Sequence, residues 1–113
     1  MGQIIIAVVI IAFFAWRLMP VKGIKTISTG QLKNMVNDKD KVFIDVRTPK
    51  EFKARNIKQF KNIPLGSDFS SLPKDKEIVV ICQSGMRSKQ ACKQLKKLGY
   101  TNVTNVRGGM GAY

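Results

Sequence analysis

Residues 77–88 read Glu77-Ile-Val-Val-Ile-Cys82-Gln-Ser-Gly-Met-Arg87-Ser88. The apolar, β-branched run that begins this stretch is typical of a strand buried on both faces of a parallel sheet, and it predicts a strand over 77–82. Gly85 permits a tightly curled loop after the strand. Residues 88–98 then have helical spacing, with Gly99 where a C-terminal cap belongs. The stretch therefore predicts a strand, a short loop and a helix.

Strands and helices alternate along the rest of the chain. Ser28-Thr-Gly-Gln31 and Thr48-Pro-Lys-Glu51 have the spacing of capping boxes that open helices, the second with Pro49 at the first helical position. Residues 42–46 predict a second buried strand, and residues 103–106 a last short one. This alternation predicts an α/β fold in which a central parallel sheet is flanked by helices.

The composition restricts the chemistry that the chain can perform. Its 113 residues are the length of one domain, and the absence of histidine excludes Ser-His-Asp and Cys-His catalysis and imidazole metal sites. Two cysteines are too few for a four-thiolate zinc site and fit a reducing compartment. An activated thiolate is the leading candidate for chemistry, and the sequence predicts neither a cofactor nor a metal.

Cys82 is the residue at which this chemistry is expected. It ends the strand that should lie centrally, and ligands of parallel sheets bind beyond the carboxyl ends of strands. Loop N–H groups, the following helix terminus and Arg87 should all lower the pKa of the thiol. The alternative is a buried cysteine beside an ordinary turn between a strand and a helix.

The segment Cys82-Gln-Ser-Gly-Met-Arg-Ser88 resembles the active loop of the single-domain rhodanese family of sulfurtransferases. The likeness covers nearly all of residues 25–113, with several modest matches in the family's order. The other matching elements are Ile27-Ser28 with Leu32, Asp45-Val-Arg47 with Glu51-Phe52, Asn62-Ile-Pro-Leu65, and Gly108-Gly109 with Ala112.

The resemblance implies a two-step sulfur transfer by nucleophilic catalysis. The catalytic Cys82 would take the outer sulfur of a small anion such as thiosulfate, or of a persulfide donor. A thiol acceptor, including a protein thiol, or cyanide would then remove it. The resemblance assigns substrate binding to the loop residues Gln83, Ser84, Gly85, Met86, Arg87 and Ser88.

Two positions depart from the family pattern. Arg55-Asn56-Ile57 stands where the family usually has Gly-His-Ile, at a position that is generally structural. Gln83 stands where an arginine often follows the cysteine, which weakens the attraction for anions and leaves the donor open.

Two rival functions remain open on the same fold. Phosphatase loops place five residues between cysteine and arginine, whereas only four separate Cys82 from Arg87, and the shorter loop suits a single sulfur atom better than a phosphate. A phosphatase or arsenate reductase is therefore disfavoured. A catalytically silent, membrane-tethered binding module is disfavoured by the cysteine and its intact loop.

Other polar and sulfur-containing residues have structural interpretations beside functional ones. Asp45, Arg47 and Glu51 are predicted to form a structural charge cluster in preference to a catalytic one, and Arg87 to pair with one of the carboxylates. Cys92 is expected to be a small core residue, with a resolving disulfide to Cys82 as the alternative. Met86, at the crest of the loop, could contact substrate or pack.

The first 20 residues are predicted to form a transmembrane anchor, and residues 21–113 the folded domain. Residues 4–16 contain no polar side chain, and residues 3–19 give enough length to span a bilayer if Arg17 snorkels. The alternatives are a cleavable signal peptide, disfavoured by the missing basic start and cleavage site, and a buried helix of a soluble chain. Because Arg17, Lys22 and Lys25 follow the apolar run, the domain is predicted on the cytoplasmic side of the cell membrane.

The charge of the chain is strongly positive. Twenty basic and seven acidic residues give a formal net charge of +13. This charge fits a solvated basic surface or attraction to anionic lipid head groups better than nucleic-acid binding, because no nucleic-acid motif accompanies it.

Overall fold

A computed structural model describes residues 6–12 and 23–113. Residues 6–12 are helical (α1), and the large apolar side chains of this segment are exposed. Among the described residues, no helix combines the length and the apolar character needed to cross a bilayer. Most of the predicted anchor, residues 1–5 and 13–20, lies outside the described residues, so the anchor stays a prediction.

The centre of the domain is a five-stranded sheet in which every neighbouring pair is parallel, as predicted. The strand order is β1-β5-β4-β2-β3, which puts β4 at the centre. The strands are β1 (Ile24–Ile27), β2 (Lys41–Asp45), β3 (Lys61–Asn62), β4 (Glu77–Ile81) and β5 (Val103–Val106).

Helices pack on both faces of this sheet, because side chains of the central strands alternate between two apolar clusters. Val80 and Cys82 join Ala91 and Leu95 of one helix on one face, whereas Ile81 faces the opposite cluster. The helices are α2 (Thr29–Met35), α3 (Pro49–Ala54), α4 (Met86–Lys97) and α5 (Gly109–Ala112).

Both predicted capping boxes are present. Ser28 Oγ accepts the N–H of Gln31 at 3.1 Å while Gln31 Oε1 accepts the N–H of Ser28 at 2.8 Å. Thr48 and Glu51 form the same reciprocal pair at the start of α3, with Pro49 in the first turn. These local hydrogen bonds satisfy N–H groups that a helix start otherwise leaves without partners.

Several predicted boundaries were wrong by one or two residues. Strand β2 begins and ends one residue earlier than predicted, β4 ends one residue earlier, and α4 spans Met86–Lys97 instead of residues 88–98. Gly85 has a φ of +99°, which turns the chain sharply enough for the helix to begin immediately after it.

The carboxyl ends of β2, β4 and β5 meet at one edge of the sheet because these strands are parallel neighbours. The segments after Asp45, Ile81 and Val106 are therefore brought together, although they are far apart in the sequence. This edge carries the candidate site.

Candidate active site

Cys82 follows the last residue of β4, at the carboxyl end of the central strand, as predicted. Its side chain is fully buried beneath the loop that leads to α4. The backbone N–H of Gly85 donates a hydrogen bond to Cys82 Sγ at 3.0 Å.

The environment of Cys82 favours its ionised form. Burial alone would raise the pKa of the thiol. The Ser88 hydroxyl and the backbone N–H groups of Ser88, Gly85 and Ser84 oppose this effect by hydrogen bonding to the thiolate, and the pKa is lowered overall. The direction of this pKa shift agrees with the prediction, and hydrogen-bond donors of the loop are its cause.

The start of the loop is held from below by α5. The N–H of Met110 donates to the Cys82 carbonyl at 2.8 Å, and the N–H of Gly111 donates to the Gln83 carbonyl at 2.9 Å. A Cβ atom at Gly109 would lie 2.1 Å from the Cys82 carbonyl oxygen, so only glycine permits this approach. The closing Gly-Gly segment therefore positions the loop, a role that the sequence did not disclose.

Two buried polar side chains meet behind the loop. Ser88 Oγ donates to Asn105 Oδ1 at 2.5 Å, and Asn105 Nδ2 donates to the Gly85 carbonyl at 3.4 Å. Asn105 lies on β5 and was not singled out by its sequence, because its contact with the loop is formed only when β5 pairs with β4.

Arg87 is held by a carboxylate at the rim of the site. Its two terminal nitrogens donate to the two oxygens of Glu51 at 2.7 and 2.8 Å. The bidentate hydrogen bonds from Arg87 are the largest cause lowering the pKa of Glu51 to about 2. The predicted pairing of Arg87 with a carboxylate is present, and it occupies the guanidinium group.

The predicted charge cluster is divided into two parts. Arg47 Nη2 donates to Asp45 Oδ2 at 2.8 Å, and both side chains are buried. Glu51 gives Arg47 only its backbone carbonyl, at 3.4 Å, because its carboxylate reaches back to cap α3 and outward to Arg87. The three residues are thus divided between two ion pairs, Asp45–Arg47 and Glu51–Arg87.

The six predicted substrate-binding residues differ in exposure. Gln83, Ser84 and Met86 are exposed, Gly85 and Arg87 are half-buried, and Ser88 is fully buried. Ser88 therefore lies beneath the loop, where its hydroxyl donates to Asn105. Gln83 Oε1 lies 3.5 Å from Arg47 Nη1, at the limit of a hydrogen bond.

Cys92 lies in the core cluster beside Ala91 and Leu95, as the structural interpretation predicted. Burial, together with the nearby charge of Cys82, raises the pKa of Cys92 to about 12. Within the described residues, no group of three or more acidic or cysteine side chains could hold a metal ion.

The segment that departs from the family pattern makes structural contacts. Asn56 Nδ2 donates to the Phe52 carbonyl at 2.8 Å, which satisfies a carbonyl in the last turn of α3. Arg55 Nη1 donates to the Met110 carbonyl at 3.3 Å and so joins this segment to α5.

Comparison with known proteins gives consistent matches over the folded region. The family model described as a rhodanese-like domain matches residues 28–113. YtwF of Bacillus subtilis, provisionally named a sulfurtransferase, is 44% identical over 94 residues, which are 80% of this chain and 90% of that protein. A sulfurtransferase of Allochromatium vinosum is 36% identical over 84 residues, covering 72% of this chain and 78% of that protein.

A solved structure has the same fold. The crystal structure of a rhodanese-like domain protein from Staphylococcus aureus superposes with a TM-score of 0.70 at 34% identity. The match covers 78% of this chain and 89% of the other.

Proposed function

Because the chain belongs to the family of rhodanese-like domains, we propose that it is a sulfurtransferase that carries sulfane sulfur as a persulfide on Cys82. The observation that carries the proposal is the hydrogen bond of 3.0 Å from the Gly85 N–H to Cys82 Sγ. It lies in a loop that also lowers the pKa of the thiol. A stabilised thiolate at the end of a central strand is a nucleophile that needs no histidine.

The first half-reaction transfers a sulfur atom from the donor to Cys82. The Cys82 thiolate attacks the outer sulfur of thiosulfate, the sulfur–sulfur bond of the donor breaks, and its electron pair leaves with sulfite. With a persulfide donor, the same bond breaks and the pair leaves with a thiolate. The product is a Cys82 persulfide whose negative charge lies on the outer sulfur, facing the N–H groups of the loop.

The second half-reaction transfers the outer sulfur of the Cys82 persulfide to an acceptor. A thiolate acceptor attacks the outer sulfur, the bond between the two sulfur atoms breaks, and the electron pair returns to Cys82. Cyanide as acceptor yields thiocyanate. A thiol acceptor, including a cysteine of another protein, yields a new persulfide and restores the starting enzyme.

Loop size favours sulfur transfer over phosphate transfer. Four residues separate Cys82 from Arg87, and the Arg87 guanidinium is held by both oxygens of Glu51. A phosphate has three oxygen atoms to be bound around the attacked centre, whereas a single sulfur atom needs only the N–H groups of a small ring. A silent binding module would have no use for a stabilised thiolate.

Steady-state assays of thiocyanate formation test the proposed activity. The chain is supplied with cyanide and, in separate reactions, with thiosulfate or glutathione persulfide. Cys82→Ser should abolish catalysed transfer from both donors, whereas Cys92→Ser, which changes a buried core thiol, should retain it. No catalysed transfer from either donor by a folded chain would overturn the proposal.

We further propose that residues 3–19 tether the domain to the cell membrane, with the domain on the cytoplasmic side. The support is the apolar sequence of residues 4–16, the exposed apolar side chains of α1, and the basic residues Arg17, Lys22 and Lys25 after the run. A cytoplasmic domain would keep the Cys82 thiol in a reducing environment.

A further inference from the structure

One corner of the domain combines an exposed apolar side chain with lysines. Within residues 23–113, only Leu98 and Met86 are large apolar residues with exposed side chains. Leu98 caps the carboxyl end of α4 and directly follows Lys96 and Lys97. An apolar side chain beside several cations is the combination with which peripheral segments contact anionic lipid surfaces.

Lys74 joins this corner from the segment before β4. Its Nζ atom lies 5.6 Å from the centre of the Tyr100 ring, and a Cβ atom at Gly99 would lie 3.4 Å from the same nitrogen. The side chain is exposed. The name α4 corner is used below for four residues: Lys74, Lys96, Lys97 and Leu98.

The three lysines of the α4 corner have no acidic partner. All seven acidic residues of the chain lie within the part that the structure describes, and none of them forms an ion pair with these lysines. Glu77, at the start of β4, is bound instead by Lys25 and Lys41 at 3.1 and 3.3 Å. The positive charge of the corner is therefore available to an external anion.

The α4 corner lies where the chain enters the domain. A Cβ atom at Gly23 would lie 3.0 Å from Lys96 Nζ, so this lysine is adjacent to the residue that precedes β1. If residues 3–19 span the membrane, residues 20–22 can separate Gly23 from the end of the span by at most ~14 Å. The proposed tether would therefore hold the corner close to the lipid head groups.

We propose that the α4 corner binds the head groups of anionic lipids and thereby orients the edge of the sheet that carries Cys82 away from the bilayer. The proposal rests on the tether proposed above. Helix α4 has 12 residues, from Met86 in the active-site loop to Lys97 in the corner. A helix of this length extends about 18 Å, so the active site would face the solution at the far end of α4, accessible to donors and acceptors.

The test places a fluorophore at either end of α4 in the full chain. Leu98→Cys carries it in the corner, and Met86→Cys is the matched probe, because both side chains are exposed. Cys82→Ser and Cys92→Ser remove the native thiols from both proteins. The chain is inserted into nanodiscs of phosphatidylcholine, with or without phosphatidylglycerol, that contain a lipid with a nitroxide quencher on its head group.

In the anionic nanodiscs, quenching at position 98 should exceed quenching at position 86 by about 5-fold, the factor that attraction of one lysine to an anionic surface supplies. The excess should shrink in discs of phosphatidylcholine alone. It should also shrink at high salt, which screens exposed charges.

Charge substitutions separate the corner from the general positive charge of the chain. Replacing its three lysines by glutamine should remove the excess quenching at position 98 in anionic discs. The matched control removes three exposed lysines in and just after α3, and it should preserve the excess. The corner variant is Lys74→Gln with Lys96→Gln and Lys97→Gln, and the control is Lys50→Gln with Lys53→Gln and Lys58→Gln.

Equal quenching at the two positions in anionic discs, or stronger quenching at position 86, would overturn the proposal. An excess that survives the corner substitutions, or that the control substitutions remove equally, would overturn it also. Retention of the chain by neutral discs tests the tether by itself, and thiocyanate formation by the unlabelled parent tests sulfur transfer. Failure of either is therefore distinguishable from failure of the lipid contact.

Discussion

At the scale of single residues, Cys82 ionises where burial opposes a negative charge. Its pKa is nevertheless lowered, because hydrogen bonding from Ser88 and from the backbone N–H groups of Gly85 and Ser84 favours the thiolate. Arg87 contributes less directly, since both its terminal nitrogens bind Glu51. The loop therefore stabilises an anion mainly with backbone groups, and its side chains bring little uncommitted positive charge to the sulfur.

The neutral Gln83 should limit the use of thiosulfate, which is a dianion. We expect Gln83→Arg to raise kcat/KM for thiosulfate about 10-fold at low salt, because an added cation at the exposed first loop position attracts the donor. The gain should shrink as salt is added. Transfer rates at several ionic strengths measure both effects.

The matched control for this change is Gln90→Arg, which adds the same charge at an exposed position of α4 outside the loop. It should change kcat/KM for thiosulfate by less than about 2-fold. An equal gain from the two substitutions would show that net charge, and not the loop position, governs use of the anion.

Glu51 should link stability to acid pH. Its pKa is lowered to about 2 in the folded chain from an ordinary 4.5, first through Arg87. The ion pair therefore contributes stability above pH 4.5, and the contribution is lost as the pH falls toward 2. Glu51→Gln removes the carboxylate that titrates, so the variant should lose less unfolding free energy in acid than the parent does. The difference should be at most about 1 kcal/mol, because the pair is partly exposed.

Denaturant unfolding of the two proteins at pH 6, 4 and 2.5 measures this difference. The gap in unfolding free energy between parent and variant should narrow as the pH falls. A gap that is the same at all three pH values would contradict the assigned pairing.

At the scale of elements, α5 supports the loop at close range. Four residues of α5 supply two N–H groups to the carbonyls of Cys82 and Gln83, and Gly109 makes the approach possible. Gly109→Ala should therefore displace the loop from α5. We expect a loss of at least about 2 kcal/mol in unfolding free energy and a higher Cys82 pKa, because the clash is with backbone and φ is +56°.

Gly30→Ala is the control for this substitution. Gly30 lies in α2, and a Cβ there meets nothing closer than Ser28 Oγ at 3.8 Å. The added methyl should stabilise the helix slightly, by up to about 1 kcal/mol, and leave the alkylation profile of Cys82 unchanged. Equal stabilities of the two variants would refute the close approach assigned to Gly109.

Features that depend on residues near in sequence were predictable from the sequence. The two capping boxes each depend on residues three apart, and the end of β4 is marked by the change from apolar residues to Gln83-Ser84-Gly85. The pairing of Arg87 with a carboxylate was also anticipated. The choice of Glu51 was not, because it depends on the angle at which α3 leaves β2.

Features that depend on tertiary contact were not predictable. Asn105 and Ser88 are 17 residues apart, and they meet only because β5 pairs beside β4. Asn62 donates to the carbonyls of Asp45 and Arg47 at 3.0 and 2.9 Å, and so fixes the segment after β2. An asparagine in a strand carries no pattern that names its partner.

At the scale of the whole molecule, the chain combines a folded α/β domain with an apolar segment at its start. Residues 6–12 are helical, and Ile11 is 68% exposed and Ile6 62%. Exposed side chains of this kind are unfavourable in water and favourable in lipid.

The tether predicts that the full chain sediments with membranes and resists alkaline extraction, whereas residues 21–113 alone remain in the supernatant. If the domain lies on the cytoplasmic side, protease added to intact cells should leave it undigested. Extraction by alkali would contradict the span, and digestion from outside would contradict the orientation.

The most direct test of sulfur transfer through Cys82 is the mass of the reduced, purified protein after treatment with thiosulfate or glutathione persulfide. The account predicts an added mass of one sulfur atom on the peptide that contains Cys82, which cyanide then removes. Cys82→Ser should gain nothing and Cys92→Ser should gain the same single sulfur. An unchanged mass with both donors, or an added sulfur that persists in Cys82→Ser and disappears in Cys92→Ser, would contradict it.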